Sequence, residues 1–268
     1  MATADDSGSA APLPLSVAVI CKNNHSTIAR TIDSVRPIAS QIVALDSGSS
    51  DGTIEILESR GVEVHRVDWP GHIAQKNRAL DACTQPWTLS IDSDESLEPD
   101  LARSVRDAIT KDDPTVVGYE VNRRVWYAGR MLNHAWQPEW RLRLVRTGKA
   151  RWGGYDPHDK LEPIEAGANT KRLAGVMRHD AMPTLGAFLH RQIEHARIAA
   201  ESYEQLNKRT SAAKLVTSPV GAWARQMILR SAWRDGWRGC VASGATAFAA
   251  FAKHAELLER TRARGGDK

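Results

Sequence analysis

The sequence predicts an α/β fold: a doubly wound, mainly parallel sheet carrying a helical appendage at its C-terminal end. Three observations predict it. Short apolar runs alternate with helical segments as βαβαβ over residues 15–67, acidic residues stand at the ends of those runs, and beyond residue 184 strand patterning gives way to helical periodicity. With 268 residues, 42% hydrophobic and 25% charged, the chain has a globular composition and enough length for one large domain plus an appendage.

Residues 1–14, rich in Ala, Ser, Asp and Pro, lack both the basic start and the apolar core of a signal peptide. They read as a disordered tail, and the protein is expected to stay in the compartment that makes it. Leu15 to Cys21 is a continuous apolar run suited to a buried parallel strand, closed by Lys22, Asn23 and Asn24. Ser26 or Thr27 is placed to cap a helix whose Ile28, Ile32 and Val35 share a face. Gln41 to Leu45 is a second buried strand that delivers Asp46 into the turn-rich loop Ser-Gly-Ser-Ser-Asp-Gly. A helix over 53–60 ends at Gly61, Val62 to Val67 alternates as a third strand, and a helix over 73–82 carries Gln75, Lys76, Asn77 and Arg78.

Trp87 to Glu95 organises the rest. Trp87, Leu89 and Ile91 alternate as a strand, and three carboxylates then arrive within four residues at Asp92, Asp94 and Glu95. Alone, such a stretch is a solvated turn in which Asp94 or Ser96 caps the helix begun by Pro99. In context, Asp46 and Asp92 both end parallel strands, where open α/β sheets bind ligands, and clustered carboxylates there call for a cation that also holds phosphate oxygens. Neither Gly-x-Gly-x-x-Gly nor a Walker-type Gly-Lys-Ser follows the first strand, which disfavours a dinucleotide or P-loop site.

Between 126 and 152, Trp126, Tyr127, Trp136, Trp140 and Trp152 offer faces for stacking on sugars or for core packing. Arg141, Arg143 and Arg146 suit phosphate, and Gly153, Gly154 and Pro157 make a lid-like loop leading to His158. The C-terminal third differs in charge. Residues 186–268 hold 14 Lys+Arg against 7 Asp+Glu, whereas residues 1–185 hold 22 against 25. Helices are expected from Leu185 to about Leu206 and from Pro219 to Arg260, with interruptions near Gly236, Gly239 and Gly244, and a basic tail over 261–268. Arg230, Arg234 and Arg238 recur every four residues beside Trp233 and Trp237, which describes either an interfacial helix on an anionic membrane or a packed appendage. Only 14 uncharged residues run from Gly239 to Ala252, too few for a spanning helix. Cys21, Cys83 and Cys240 lie far apart, so neither a disulfide framework nor a zinc site is indicated.

The stretches Val17–Asn24, Val43–Thr53, Gln75–Leu80 and Ile91–Glu95 together resemble those of family 2 glycosyltransferases, which have the GT-A type nucleotide-sugar fold. Arg143–Arg146, Pro157–Leu161 and Asp235–Gly239 extend the likeness to the subgroup of bacterial lipopolysaccharide core glucosyltransferases. The resemblance implies a GT-A domain over 15–184, and the basic and aromatic stripes imply a membrane-surface segment over 185–260. The resemblance also implies a UDP-sugar donor, a lipid-linked saccharide acceptor, a divalent metal (Mn2+ or Mg2+), and a cytoplasmic enzyme peripheral on the inner face of the inner membrane. By the same resemblance Asp46 contacts the nucleoside and Asp92 lies near the ribose and phosphates. Asn23, Lys76 and Arg143 belong to the donor site, and Asp94, with Asp92 and His158, holds the metal. Asp159 stands where the family places the acid of a His-acid pair and is the candidate general base, with Asp156 and Glu162 as the nearby alternatives. Two positions depart from the family. Asn24 stands where a Glu is usual, and Asp159 is one methylene shorter than the common Glu.

Two rival functions are weaker. Aspartate-nucleophile phosphohydrolases place Asp-x-Asp on their first strand and need a later strand-borne Asp pair, but Asp112 and Asp113 follow a helix. A nucleic-acid module does not account for carboxylates at strand ends, which repel phosphate unless metal intervenes, so no nucleic-acid partner is expected.

Overall fold

The computed structural model describes residues 11–154, 159–205 and 210–265. The chain forms two compact units that interleave in sequence: Met1–Asn122, Arg141–Trp152 and Leu161–Met177 make the first, and Arg123–Trp140, Gly153–Lys160 and Arg178–Lys268 the second. The sequence alone places the boundary between the α/β domain and the helical segment at 184/185.

In the first unit β1 (Leu13–Cys21), α1 (Ile28–Val35), β2 (Ala39–Asp46), α2 (Thr53–Ser59), β3 (Glu63–Arg66), α3 (His72–Asp81) and β4 (Trp87–Asp92) follow the predicted alternation. β1 begins earlier than expected, inside the predicted tail, because Leu13 is buried and its N–H reaches the Ile38 carbonyl at 2.9 Å. α1 buries the predicted Ile28, Ile32 and Val35 stripe, but its N-cap Thr27 makes no side-chain capping bond. After β4 come β5 (Glu95–Leu97), α4 (Pro99–Lys111) and β6 (Gly118–Tyr127), then β7 (Arg130–Met131), β8 (Trp140–Arg146), β9 (Ala150–Gly153), β10 (Lys160–Pro163) and β11 (Thr170–His179). The N-cap of α4 is Glu98 rather than Asp94 or Ser96, and β5 forms before it.

The sheet order is β3-β2-β1-β4-β8-β6-β11-β5, with β9 and β10 as a separate pair. Contacts among β1 to β4 are parallel, whereas β4 meets β8 antiparallel. The sheet is therefore parallel in the half that carries the strand-end acids and turns antiparallel where β4 meets β8. β1 and β4 are buried on both faces, which is why they read as nearly unbroken apolar runs. One core cluster centres on Val17, Val19, Leu89, Ile32, Leu57 and Leu101, and a second on Ala18, Ile20, Val43, Leu80 and Trp152.

The second unit holds β7, α5 (Leu185–Gln205), α6 (Lys214–Ala224), a π-helical turn Arg225–Leu229, a 3₁₀ turn Ala232–Asp235 and α7 (Trp237–Gly265). α5 and α6 both pack on α7. The predicted interruption occurs at Gly236, but α7 runs unbroken through Gly239 and Gly244 and on to Gly265, and α6 begins before Pro219 rather than at it. Arg230, Arg234 and Arg238 therefore do not form one helical stripe. Arg230 closes the π turn, Ser231 reverses the chain at φ +55°, Arg234 lies in the 3₁₀ turn and Arg238 in α7.

Asp235 explains the Asp-Gly-Trp-Arg-Gly segment as a structural knot. Its carboxylate accepts the backbone N–H groups of Asn133 (3.0 Å), His134 (2.9 Å) and Ala135 (2.8 Å). At Gly239 a Cβ would fall 1.7 Å from the Ala232 carbonyl oxygen, so only glycine lets α7 approach the 3₁₀ turn this closely.

Candidate active site

Strand register sets the geometry. Cys21 of β1 pairs with Asp46 of β2, and Ile20 pairs with Asp92 of β4, so the two aspartates flank the end of β1 at about 10 Å by ordinary strand spacing. In the order β3-β2-β1-β4 the direction of winding reverses between β1 and β4, the crevice where such sheets bind ligands.

On the β2 side, Asp46 is fully buried and both of its oxygens are occupied. Oδ1 accepts the N–H groups of Gly48 (2.9 Å) and Ser49 (2.8 Å), while Oδ2 accepts the Ser49 hydroxyl and the Cys21 thiol (3.5 Å). Burial first, and then the neighbouring Asp46 carboxylate, pushes the Cys21 thiol far up, so it stays protonated and donates. Asn23 sits at φ +55°, a conformation Asn tolerates, and its Oδ1 accepts the Ser50 N–H at 2.9 Å. Its own N–H reaches the Ser49 hydroxyl at 2.9 Å. Asn24, where the family commonly has Glu, accepts the Lys22 N–H at 2.8 Å. Asp46 and Asn23 thus shape the 47–51 loop from both sides. Gln75 on α3 is buried and donates to the Ser47 hydroxyl at 3.0 Å.

On the β4 side a quartet of charges is nearly closed to water. Asp92 Oδ1 meets Lys76 Nζ at 2.8 Å, and Oδ2 meets Arg143 at 3.0 Å. The same guanidinium forks onto Glu95 with bonds of 2.7 and 3.1 Å, and Glu95 also accepts the Asp92 N–H at 3.0 Å. Two positive and two negative charges balance. Trp152 lies against both cations, with Lys76 Nζ at 4.1 Å and the Arg143 guanidinium at 5.2 Å from its ring centroid, and its indole N–H reaches Ser90 at 3.2 Å. The cations demanded by three adjacent carboxylates are thus in part the protein's own, brought by α3 and β8. Asp94 follows in the tight turn between β4 and β5 and is half-buried.

Of the predicted residues, the structure therefore brings Asp92, Lys76 and Arg143 together, with Asn23 one strand away past the end of β1 and Asp46 two strands away on β2. Arg141 and Arg146 lie on the same strand as Arg143, but Arg146 faces elsewhere, bonding Asp112 (2.9 Å) and the backbone carbonyls of Val116 and Asp113. Asp159 is half-buried and belongs to the second unit; His158 and Asp156 lie outside the described residues. Glu95 and Trp152 were missed as partners of the cations. No local signal marks Glu95, whose role depends on β8 lying beside β4. Among the aromatics, Trp136 donates to Thr246 (2.9 Å) and packs on Phe188, and Trp126 lies under the Arg178 guanidinium at 3.9 Å, both in the second unit.

A divalent ion fits this donor set. Among the described residues no group of three or more His, Cys, Asp or Glu converges as a protein-only cage. Hard cations that bridge a diphosphate need only one or two carboxylates, the remaining ligands coming from phosphate and water. Asp94, a half-buried carboxylate in the turn two residues after Asp92, is of the donor type that suits this.

The fold and the strand-end acids define a nucleotide-sugar glycosyltransferase of GT-A type. The family model for glycosyl transferase family 2 matches residues 16–162, and the chain belongs to that family. It is 29% identical, over 92% of its length and 93% of the relative's, to the lipopolysaccharide core biosynthesis glycosyltransferase LpsC of Rhizobium meliloti (strain 1021). An uncharacterized glycosyltransferase of Rickettsia prowazekii (strain Madrid E) is 24% identical over 91% of this chain and 87% of that one. Among solved structures the chain is similar to the mannosyltransferase PcManGT from Pyrobaculum calidifontis in complex with GDP-Man and Mn2+, at 14% identity, 95% and 89% coverage and a TM-score of 0.49. It is also similar to glucosyl-3-phosphoglycerate synthase from Mycobacterium tuberculosis in complex with Mn2+, UDP and phosphoglyceric acid, at 17% identity, 74% and 80% coverage and a TM-score of 0.46.

Proposed function

We propose that this chain is an inverting, metal-dependent transferase that moves a hexose, glucose being the first candidate, from a UDP-sugar to a sugar of the lipopolysaccharide inner core. The observation that carries this reading is the neutral quartet Lys76–Asp92–Arg143–Glu95 at the β1/β4 switch point, with Asp94 in the turn that follows. The acceptor class rests on the likeness to LpsC over nearly the whole of both chains.

In this mechanism the acceptor hydroxyl gives its proton to Asp159 as its oxygen attacks the anomeric carbon from the face opposite the diphosphate. The bond from that carbon to the diphosphate oxygen breaks and its electron pair leaves with UDP, so configuration inverts. Asp94, with Asp92 and His158, would hold the divalent ion, which would supply neutralising charge for the departing diphosphate. Lys76 and Arg143 keep Asp92 fixed and its charge compensated, so the site does not repel the incoming diphosphate. Asp46 and Asn23 hold the 47–51 loop in the shape that meets the nucleoside. The enzyme works in the cytoplasm against the inner face of the inner membrane, where a lipid-linked acceptor resides.

Isothermal titration of UDP with and without Mn2+, beside single-turnover transfer from UDP-glucose to deacylated core acceptors, tests the reading. Asp94→Ala is expected to abolish transfer and the Mn2+ dependence of UDP binding while leaving the melting temperature in place. Near wild-type turnover in that variant would sink the metal assignment.

A further inference from the structure

The second unit exposes apolar side chains where a globular surface should be polar. On α6, Val216 (66% exposed), Val220 (61%) and Trp223 recur at i, i+4 and i+7 and so fall along one face. The π-helical turn that continues α6 ends on Ile228 (65%) and Leu229 (79%), two large aliphatic residues side by side in water. Past the reversal at Ser231, Trp233 and Trp237 are each more than half exposed. These short elements pack on one another, so the exposed residues belong to one region. An exposed cluster of this kind marks an interaction surface.

Charge identifies the occupant. From residue 205 to 234 the sequence holds six Lys+Arg and not one Asp or Glu. Lys214, Arg225 and Arg234 are exposed among the apolar groups and Arg230 is partly so. The first carboxylate after this stretch, Asp235, is consumed by the three backbone N–H groups of the 133–135 loop and does not offset that charge. A second copy of the chain is disfavoured, because a two-fold contact sets this basic, carboxylate-free stretch against itself. Exposed aliphatics, tryptophans at their flank and arginines in a stretch without carboxylates instead match the layering of an anionic bilayer surface: acyl chains, then the headgroup boundary, then phosphate. Among the described residues no helix is long and apolar enough to cross a membrane.

We infer that α6 and the broken turns after it form an interfacial wedge, with Ile228 and Leu229 inserted into the outer part of an anionic leaflet and Arg225, Arg230 and Arg234 on its phosphates. The inference deepens the proposed function, which places the acceptor in a membrane, and it replaces the continuous arginine stripe that the sequence suggested.

The test is flotation of the full chain with vesicles of phosphatidylcholine alone and of phosphatidylcholine mixed with phosphatidylglycerol. The wild-type protein is expected to float with the anionic vesicles and less with the neutral ones. Ile228→Glu/Leu229→Glu is expected to remove flotation on both, with unchanged UDP affinity and melting temperature. Arg225→Ala/Arg230→Ala/Arg234→Ala is expected to weaken partitioning onto anionic vesicles by about fivefold per arginine and to leave neutral-vesicle binding in place. Trp223→Phe and Trp233→Phe should each reduce quenching of tryptophan fluorescence by brominated lipid. Normal flotation of the double glutamate variant overturns the inference. So does a wild-type protein that ignores vesicles but dimerises, and becomes a monomer on the same substitution. Transfer to a soluble, deacylated acceptor separates this inference from the enzymatic reading. A protein that floats through this surface yet transfers no hexose to any core acceptor supports the wedge and overturns the acceptor assignment.

Discussion

Arg143 joins the organising strand to the rest of the site, and replacing it by Met keeps the length and apolar stem while deleting the charge. The side chain is 4% exposed and its partner Glu95 is 0% exposed, so the pair is desolvated. Arg143→Met removes two bonds to Glu95 (2.7 and 3.1 Å) and one to Asp92 (3.0 Å), leaving Glu95 charged and buried without its guanidinium. Breaking a buried pair on one side costs about 3–5 kcal/mol. At roughly 2–4 °C per kcal/mol for a domain of this size, the melting temperature should fall by about 6–20 °C. A double-mutant cycle with Glu95→Leu supplies the control. Replacing both partners by apolar groups removes the orphaned charge, so Arg143→Met/Glu95→Leu should recover most of the loss. Calorimetry with denaturant titration of the four proteins reads both quantities. A single variant within about 1 kcal/mol of wild type, or single effects that simply add, would refute the argument that the quartet is a coupled, desolvated unit.

Asp159→Asn keeps the shape of the candidate base and removes its basicity, so single-turnover transfer should slow by about a hundredfold or more while UDP-sugar affinity stays within twofold, roughly the scale on which base deletions act. A main defect in donor affinity would move Asp159 to the donor side. Asp235→Ala orphans three backbone N–H groups of the 133–135 loop and should destabilise the second unit by about 2–4 kcal/mol in urea titrations, since bonds to a charged acceptor are worth roughly 1.5–3 kcal/mol each and water re-satisfies part of the loss. His254, whose Nδ1 lies 2.9 Å from the Thr210 hydroxyl, has its pKa lowered by burial and then by Lys253 and Lys214. Below about pH 6.5 the unfolded chain therefore binds more protons than the folded one, and this contribution to stability is lost as pH falls from there through the folded pKa. Urea midpoints at pH 7.5 and 5.5 should consequently differ less in His254→Phe than in wild type.

What the sequence determined on its own is the part written in local periodicity. Val17 to Cys21, Gln41 to Asp46 and Trp87 to Asp92 are short, apolar and followed by turn residues, so their strands, their parallel arrangement and the acids at their ends were legible without coordinates. The helix α1 was legible too, because Ile28, Ile32 and Val35 can be buried together only at helical spacing. Tertiary structure alone decided which charges meet. Glu95 reads as a third member of an acidic cluster until the antiparallel neighbour β8 brings Arg143 across from it, forty-eight residues away in the chain. Asp235 reads as part of a motif and proves to be a cap for a loop about a hundred residues earlier. The arginine stripe failed for the same reason. A four-residue spacing marks one face only if the helix is continuous, and the π turn and the left-handed Ser231 break it. Periodicity reports the burial of one element against whatever lies beneath it; the pairing of charges depends on which elements the fold sets side by side.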